Sequence, residues 1–167
     1  MEERLIKVGI THGDINGIGY EVILKTFSDA RVAELCTPVI YGSSKIAAYH
    51  RKALELPPVN MNIISQAEDA GINRVNIINC VDDETKVELS QSTSIAGEAA
   101  FLALEAAVTD LKRGAVDVLL TAPINKHNIQ NDEFHFPGHT EYLEERFGGV
   151  GRKALMILMK DCLRVAL

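Results

Sequence analysis

Residues 5–28 read LIKVGITHGDINGIGYEVILKTFS, and they set the architecture. Residues 5–11 are apolar and β-branched, as in a buried strand. A turn with Gly13, Gly17 and Gly19 follows, and then a helix over residues 19–28, where Val22, Ile23 and Phe27 recur near the helical period. A strand that turns on glycines into a helix is the opening unit of an α/β fold.

The same alternation continues along the chain. Residues 37–41 read as a second strand, and Ser43 or Ser44 can cap a helix to about Leu54, stopped before Pro57 and Pro58. Residues 59–64 and 74–80 are strand-like, and residues 66–72 between them allow a short helical turn. The longest regular piece, residues 93–113, carries a broad face of alanines, which implies close approach to a neighbouring element. Thr93 or Ser94 can cap its start and Gly114 can end it. Gly97 inside it costs about 1 kcal/mol against alanine, so it marks either tight packing or a nearby ligand. Residues 116–121 are an apolar strand, a short helix is expected from Asn125, and another spans residues 141–147 up to Gly148 and Gly149. Residues 155–159 and 163–167 are two further strands joined in hairpin fashion at residues 160–162. The expected architecture is a three-layer α/β/α sandwich with a mixed, largely parallel sheet.

At 167 residues the chain is long enough for one domain with a real core. Its net charge of −6 argues against nonspecific binding to nucleic acid. No apolar run reaches the roughly 20 residues a membrane helix needs. The start, MEERLIKVGI, lacks the layout of a signal peptide. Cys36, Cys80 and Cys162 are odd in number and form no C-x-x-C, so the expectation is buried thiols in a reducing, cytoplasmic setting. Residues 82–84, DDE, read as a solvated turn.

Three segments could carry chemistry. The glycine turn has the spacing G-x-x-x-G-x-G, which is neither a dinucleotide fingerprint nor a P-loop. It reads first as a structural turn, with Asp14 capping local amides, although a helix start behind it could favour an anion. Residues 121–126, TAPINK, leave a strand sharply at Ala122-Pro123. Thr121 and Asn125 offer hydrogen bonds, and Lys126 is either a solvated charge or a point contact for phosphate or carboxylate. Residues 137–143, PGHTEYL, place His139 and Thr140 at a helix start. His139 can donate to an anionic oxygen, and Thr140 can cap the helix. His135 and His139 are separated by Pro137 and Gly138 and share no helical face. H-E-x-x-H is absent, and His12, His50 and His127 show no ligand spacing, so no metal site is read here.

Taken together, ITHGDINGIGYE (residues 10–21), TAPINK (121–126), PGHTEYLEE (137–145) and LRVAL (163–167) stand in the order and approximate spacing of the 4-hydroxythreonine-4-phosphate dehydrogenase family, which the whole chain resembles. The resemblance covers about the N-terminal half of the family's usual length, so residues 1–167 are expected to be the N-terminal half of a two-domain dehydrogenase, with the C-terminal half absent. The end in mid-strand at LRVAL fits a truncated product or fragment.

The resemblance implies a fold like the isocitrate and isopropylmalate dehydrogenases. It implies NAD-dependent oxidation of 4-phosphooxy-L-threonine, and then decarboxylation to 3-amino-2-oxopropyl phosphate, in vitamin B6 (pyridoxal phosphate) biosynthesis. It implies a homodimer and a divalent metal (zinc, magnesium or cobalt) whose ligands lie beyond residue 167. His139 and Thr140 fall on the family's substrate-binding positions. Catalytic and cofactor-binding residues are not assigned within this chain; Lys126 and Asp14 are weak candidates for a general base. The chain departs from the family pattern at Ile15 and Tyr20, where prolines are common, and His12 is a variable position. The glycines remain, so the fold is expected to hold, and substrate choice is where these changes could tell. Lacking the metal ligands, the polypeptide alone is expected to be inactive. Alternatives are a dehydrogenase of another phosphorylated four-carbon hydroxy acid (threonate or erythronate phosphate) and a noncatalytic phosphate-binding or dimer-forming module.

Overall fold

Five parallel strands lie in the order β3-β4-β2-β1-β5 in a computed structural model that describes residues 5–149 and 151–167. Residues 1–4, part of the N-terminal stretch read above, lie outside the described residues. The strands are β1 (Lys7–Thr11), β2 (Thr37–Gly42), β3 (Met61–Ile64), β4 (Val75–Asn79) and β5 (Val118–Thr121). Parallel neighbours need crossovers, which the helices supply: α1 (Gly19–Phe27) and α2 (Val32–Leu35) between β1 and β2, α3 (Ser44–Ala53) between β2 and β3, and α4 (Ser94–Lys112) between β4 and β5. α5 (His139–Phe147) follows β5, and β6 (Ile157–Lys160) pairs antiparallel with β7 (Leu163–Ala166) in a separate hairpin.

The period-2 alternation of the strands divides the core between two faces. Ile10, Ile40, Val75 and Ile77 point to one face, against Ile23 and Phe27 of α1 and Ala33 of α2. Val39 and Tyr41 point to the other, against Ala103 and Ala107 of α4. This is the expected three-layer α/β/α arrangement. The alanines let α4 lie close to the sheet. Gly9 does the same job in β1, since a Cβ there would sit 3.3 Å from both the Tyr41 ring and the Val116 methyl. Thr93 caps α4 through its hydroxyl, which accepts from the Ala96 amide at 3.2 Å. Ser43 caps α3 in the same way at 3.3 Å.

Three expectations change. Residues 126–129 form a turn, not a helix. The Asn125 carboxamide oxygen accepts from the amides of His127 (3.0 Å) and Asn128 (3.4 Å), which competes with helical pairing, and only the Ile129 amide reaches back to the Asn125 carbonyl. The strand read at residues 116–121 is shorter and lies at a sheet edge, where Val118 and Leu120 are exposed rather than buried. The thiols were expected to be buried, but Cys36 and Cys80 are only partly so and Cys162 is exposed in the hairpin turn. Among the described residues no helix is long and apolar enough to cross a membrane.

Candidate functional site

All the polar segments singled out in the sequence come together at the carboxyl ends of β1 and β5. The helix that leaves β1, α1, and the helix that leads into β5, α4, pack on opposite faces of the sheet. In open α/β sheets ligands collect beside such a point.

The glycine turn is an internal support there. Gly13 has a φ of +70°, and a Cβ on it would lie 2.2 Å from the Pro123 carbonyl oxygen. The Asp14 amide donates to that same carbonyl at 2.9 Å, so the turn is closed by the TAPINK segment and has no cradle left for a pyrophosphate. Asp14 accepts from the Asn16 amide at 2.8 Å, the local role expected of it. Asn16 in turn accepts from the Glu88 amide (2.7 Å) and donates to the Gln91 carbonyl (2.9 Å) and the Thr93 hydroxyl (3.1 Å), which fixes the approach to α4. Ile15 and Tyr20 are wholly buried among α1, α3 and α4. They fill core and do not face α5.

The start of α5 is built differently. The cap residue is Gly138, and no side chain caps the helix. Thr140 therefore does not cap; it lies inside the first turn with an exposed side chain. The first-turn amides and the helix dipole face outward with positive polarity. His139 is half-buried, and its Nε2 is buried without a hydrogen-bond partner among the described residues. Burial, and then the neighbouring Lys126 ammonium, hold its pKa below the usual histidine value, so the ring is neutral at neutral pH. Lys126 arrives from TAPINK: a Cβ on Gly138 would lie 3.7 Å from its Cε and 3.9 Å from its Nζ. A neutral imidazole, a hydroxyl without a hydrogen-bond partner among the described residues, an ammonium and an uncapped helix start thus share one corner, which suits an oxyanion.

α5 is held in place from behind. Tyr142 packs against Phe134 and Phe136 and donates to Glu105 of α4, and Arg146 also reaches Glu105. Ile129 and Phe134, both buried, carry the connecting loop into the same cluster as Phe101 and Leu104. Larger hollows lie elsewhere, including one of about 690 Å³ at the amino ends of β3 and β4 lined by Asn60, Asn62 and Arg74. These lack the convergent donors of the α5 corner. His135 turns away, its Nε2 lying 2.9 Å from the Asp132 carbonyl. His12 is sealed in the core, and no three His, Cys, Asp or Glu side chains converge as metal ligands among the described residues. Among the described residues no set of side chains is arranged as a metal site, and the glycine turn is closed to a pyrophosphate.

The profile of the family described as "Pyridoxal phosphate biosynthetic protein PdxA" matches residues 34–167. The chain belongs to this family. It is 61% identical over 167 residues to a 4-hydroxythreonine-4-phosphate dehydrogenase of Bacteroides thetaiotaomicron, covering 100% of this chain and 45% of that one. It is 32% identical over 143 residues to a Clostridium botulinum protein provisionally named a D-threonate 4-phosphate dehydrogenase, covering 83% of this chain and 42% of that one. The crystal structure of a 4-hydroxythreonine-4-phosphate dehydrogenase from Burkholderia phymatum superposes with a TM-score of 0.84 at 29% identity, over 98% of this chain and 49% of that one. The PdxA-family chain described here thus spans about half the length of the relatives it matches.

The sequence singled out His139 and Thr140 and read Lys126 as either a solvated charge or a contact for phosphate or carboxylate; it did not give the distance between the two segments. Eleven residues of irregular chain separate Lys126 from Gly138, and such a stretch carries no periodic pattern that would show the two meeting.

Proposed function

We propose that this chain is the substrate-holding N-terminal half of an NAD-dependent 4-hydroxythreonine-4-phosphate dehydrogenase. The whole enzyme oxidises the secondary alcohol of 4-phosphooxy-L-threonine, and the β-keto acid loses carbon dioxide to give 3-amino-2-oxopropyl phosphate for pyridoxal phosphate synthesis. His139 and Thr140 bind the substrate. The observation that carries this reading is the unpartnered His139 Nε2 at an uncapped helix start, beside the Thr140 hydroxyl. A buried polar atom without a partner is costly, and with the ring proton on Nε2 a bound oxyanion removes that cost.

In this reading the divalent metal and the nicotinamide are held by residues beyond these 167, and the working enzyme is a cytoplasmic homodimer. The residues described here bind and orient; they supply no redox group. A polypeptide limited to residues 1–167 is accordingly inactive. An NADH-forming assay of that polypeptide with substrate and divalent metal tests this, and robust turnover contradicts it.

The deciding experiment for the site is the double change His139→Ala/Thr140→Ala in the protein expressed from its whole reading frame. Two hydrogen bonds to a charged group are worth about 1.5–3 kcal/mol each, so kcat/KM falls by roughly 10²–10⁴. Unchanged kinetics reject the assignment. A second reading, oxidation of D-threonate 4-phosphate or a related acid, draws support from the Clostridium botulinum relative. The 61% identity to the Bacteroides enzyme favours the first. Comparing kcat/KM for the two phosphorylated acids separates them.

A further inference from the structure

We propose that Lys126 is a specificity-determining contact of this enzyme, its ammonium gripping the same substrate oxyanion as His139 and Thr140. The proposal rests on the substrate reading above and adds to it a residue from a different segment of the chain. Three observations carry it.

Lys126 lies over Gly138, with Cε and Nζ 3.7 and 3.9 Å from where a Cβ would stand, which places the ammonium at the start of α5. Lys126 is exposed, so its ammonium is open to an incoming ligand. Lys126 also forms no ion pair among the described residues. The Glu141 carboxylate reaches the same corner, 3.6 Å from that Cβ position, yet the two groups are not paired. Finally, the start of α5 that Lys126 overlies carries the positive end of the helix dipole, and the ammonium helps to hold the His139 pKa down. One oxyanion between them would satisfy all three groups, and Lys126 would offset the repulsion from Glu141.

The shared chemistry is a phosphate or carboxylate oxygen of the substrate, and lysine contacts either as a point charge. The test uses the protein from its whole reading frame, with Lys126→Ala, Lys126→Arg and His139→Ala/Thr140→Ala compared. Substrates are 4-phosphooxy-L-threonine and unphosphorylated 4-hydroxy-L-threonine, and inorganic phosphate serves as inhibitor. In K126A, KM for the phosphorylated substrate rises roughly ten- to a hundredfold, while kcat changes by less than about threefold. K126R recovers most of the loss.

If KM for the unphosphorylated analogue does not change and the inhibition constant of phosphate rises in step, the oxyanion is the phosphate. If the analogue suffers equally and phosphate inhibition is unaltered, it is the carboxylate. Kinetics of K126A within about twofold of wild type, with the double variant impaired, overturn the proposal and leave the His139–Thr140 reading standing. If the double variant is unimpaired as well, the site reading fails and takes the proposal with it. A loss confined to kcat that arginine does not rescue also overturns it, because that pattern marks a structural residue.

Discussion

His12 is wholly buried, and among the described residues neither ring nitrogen meets a partner in good hydrogen-bond geometry, although the Gly13 and Ala99 backbone lies close by. It stacks on Tyr20 at 5.1 Å between ring centroids, and Tyr20 stacks on His50 at 5.2 Å. Burial lowers the His12 pKa to about 4, and burial also lowers that of His50. An unfolded histidine titrates near 6.5, so the unfolded chain binds protons first as pH falls. The stability from these neutral rings is complete above about pH 6.5 and is lost as pH falls towards 4; the His12 share reaches about 3 kcal/mol. Urea denaturation at pH 7 and pH 5 should show a drop in stability of about 2 kcal/mol from His12 alone. The variant His12→Phe, which keeps a ring in the stack but cannot titrate, should show a clearly smaller drop, with His50 supplying what remains. An equal drop in both proteins would remove His12 from this role. Nothing in the sequence around His12 distinguishes such a core histidine from a ligand except the absence of a partner at ligand spacing.

At the scale of elements, α4 and the turn that carries Lys126 depend on Gly97. A Cβ there would lie 1.8 Å from the Asn128 carbonyl oxygen and 2.8 Å from the Ile129 amide nitrogen. These are backbone atoms of a loop pinned by buried Ile129, so they cannot move aside cheaply. Gly97→Ala gains about 1 kcal/mol in helix propensity. Overpacking costs about 1–3 kcal/mol and more when backbone must shift, so the net effect is a loss of about 2 kcal/mol, measurable by urea denaturation. The same change displaces the turn and should raise KM for the phosphorylated substrate. A more stable variant would show that the helix propensity wins.

Of the two roles the sequence left open for Gly97, close packing is the one found. The strand–helix alternation was legible because buried strands and the alanine face of α4 have strong periods. The strand order was not, since β1 lying between β2 and β5 is a long-range pairing that no local pattern encodes. The helix expected from Asn125 failed because a single carboxamide captured two amides. Thr140 was read as a possible cap of a helix from residue 141, but the helix begins two residues earlier, at His139, so the hydroxyl makes no cap.

Over the whole molecule, apolar surface is distributed unevenly. Val118 and Leu120 of β5 are exposed, and so are Leu155, Ile157, Leu158, Met159, Leu163 and Val165 in and beside the hairpin. Exposed apolar groups in contiguous runs mark surfaces that are covered in the working assembly. A polypeptide of residues 1–167 should bind a hydrophobic dye such as ANS and associate in a concentration-dependent way. The protein from the whole reading frame should bind much less dye, and equal binding by both would mean that these strands remain bare. The relatives, of which this chain covers 45% and 42%, are long enough to supply such cover.

The measurement that bears most directly on the account is a crystal structure of the protein from its whole reading frame with 4-phosphooxy-L-threonine bound. A substrate oxygen should lie at roughly 3 Å from both His139 Nε2 and the Thr140 hydroxyl. A bound substrate with no atom within about 5 Å of either group would contradict it.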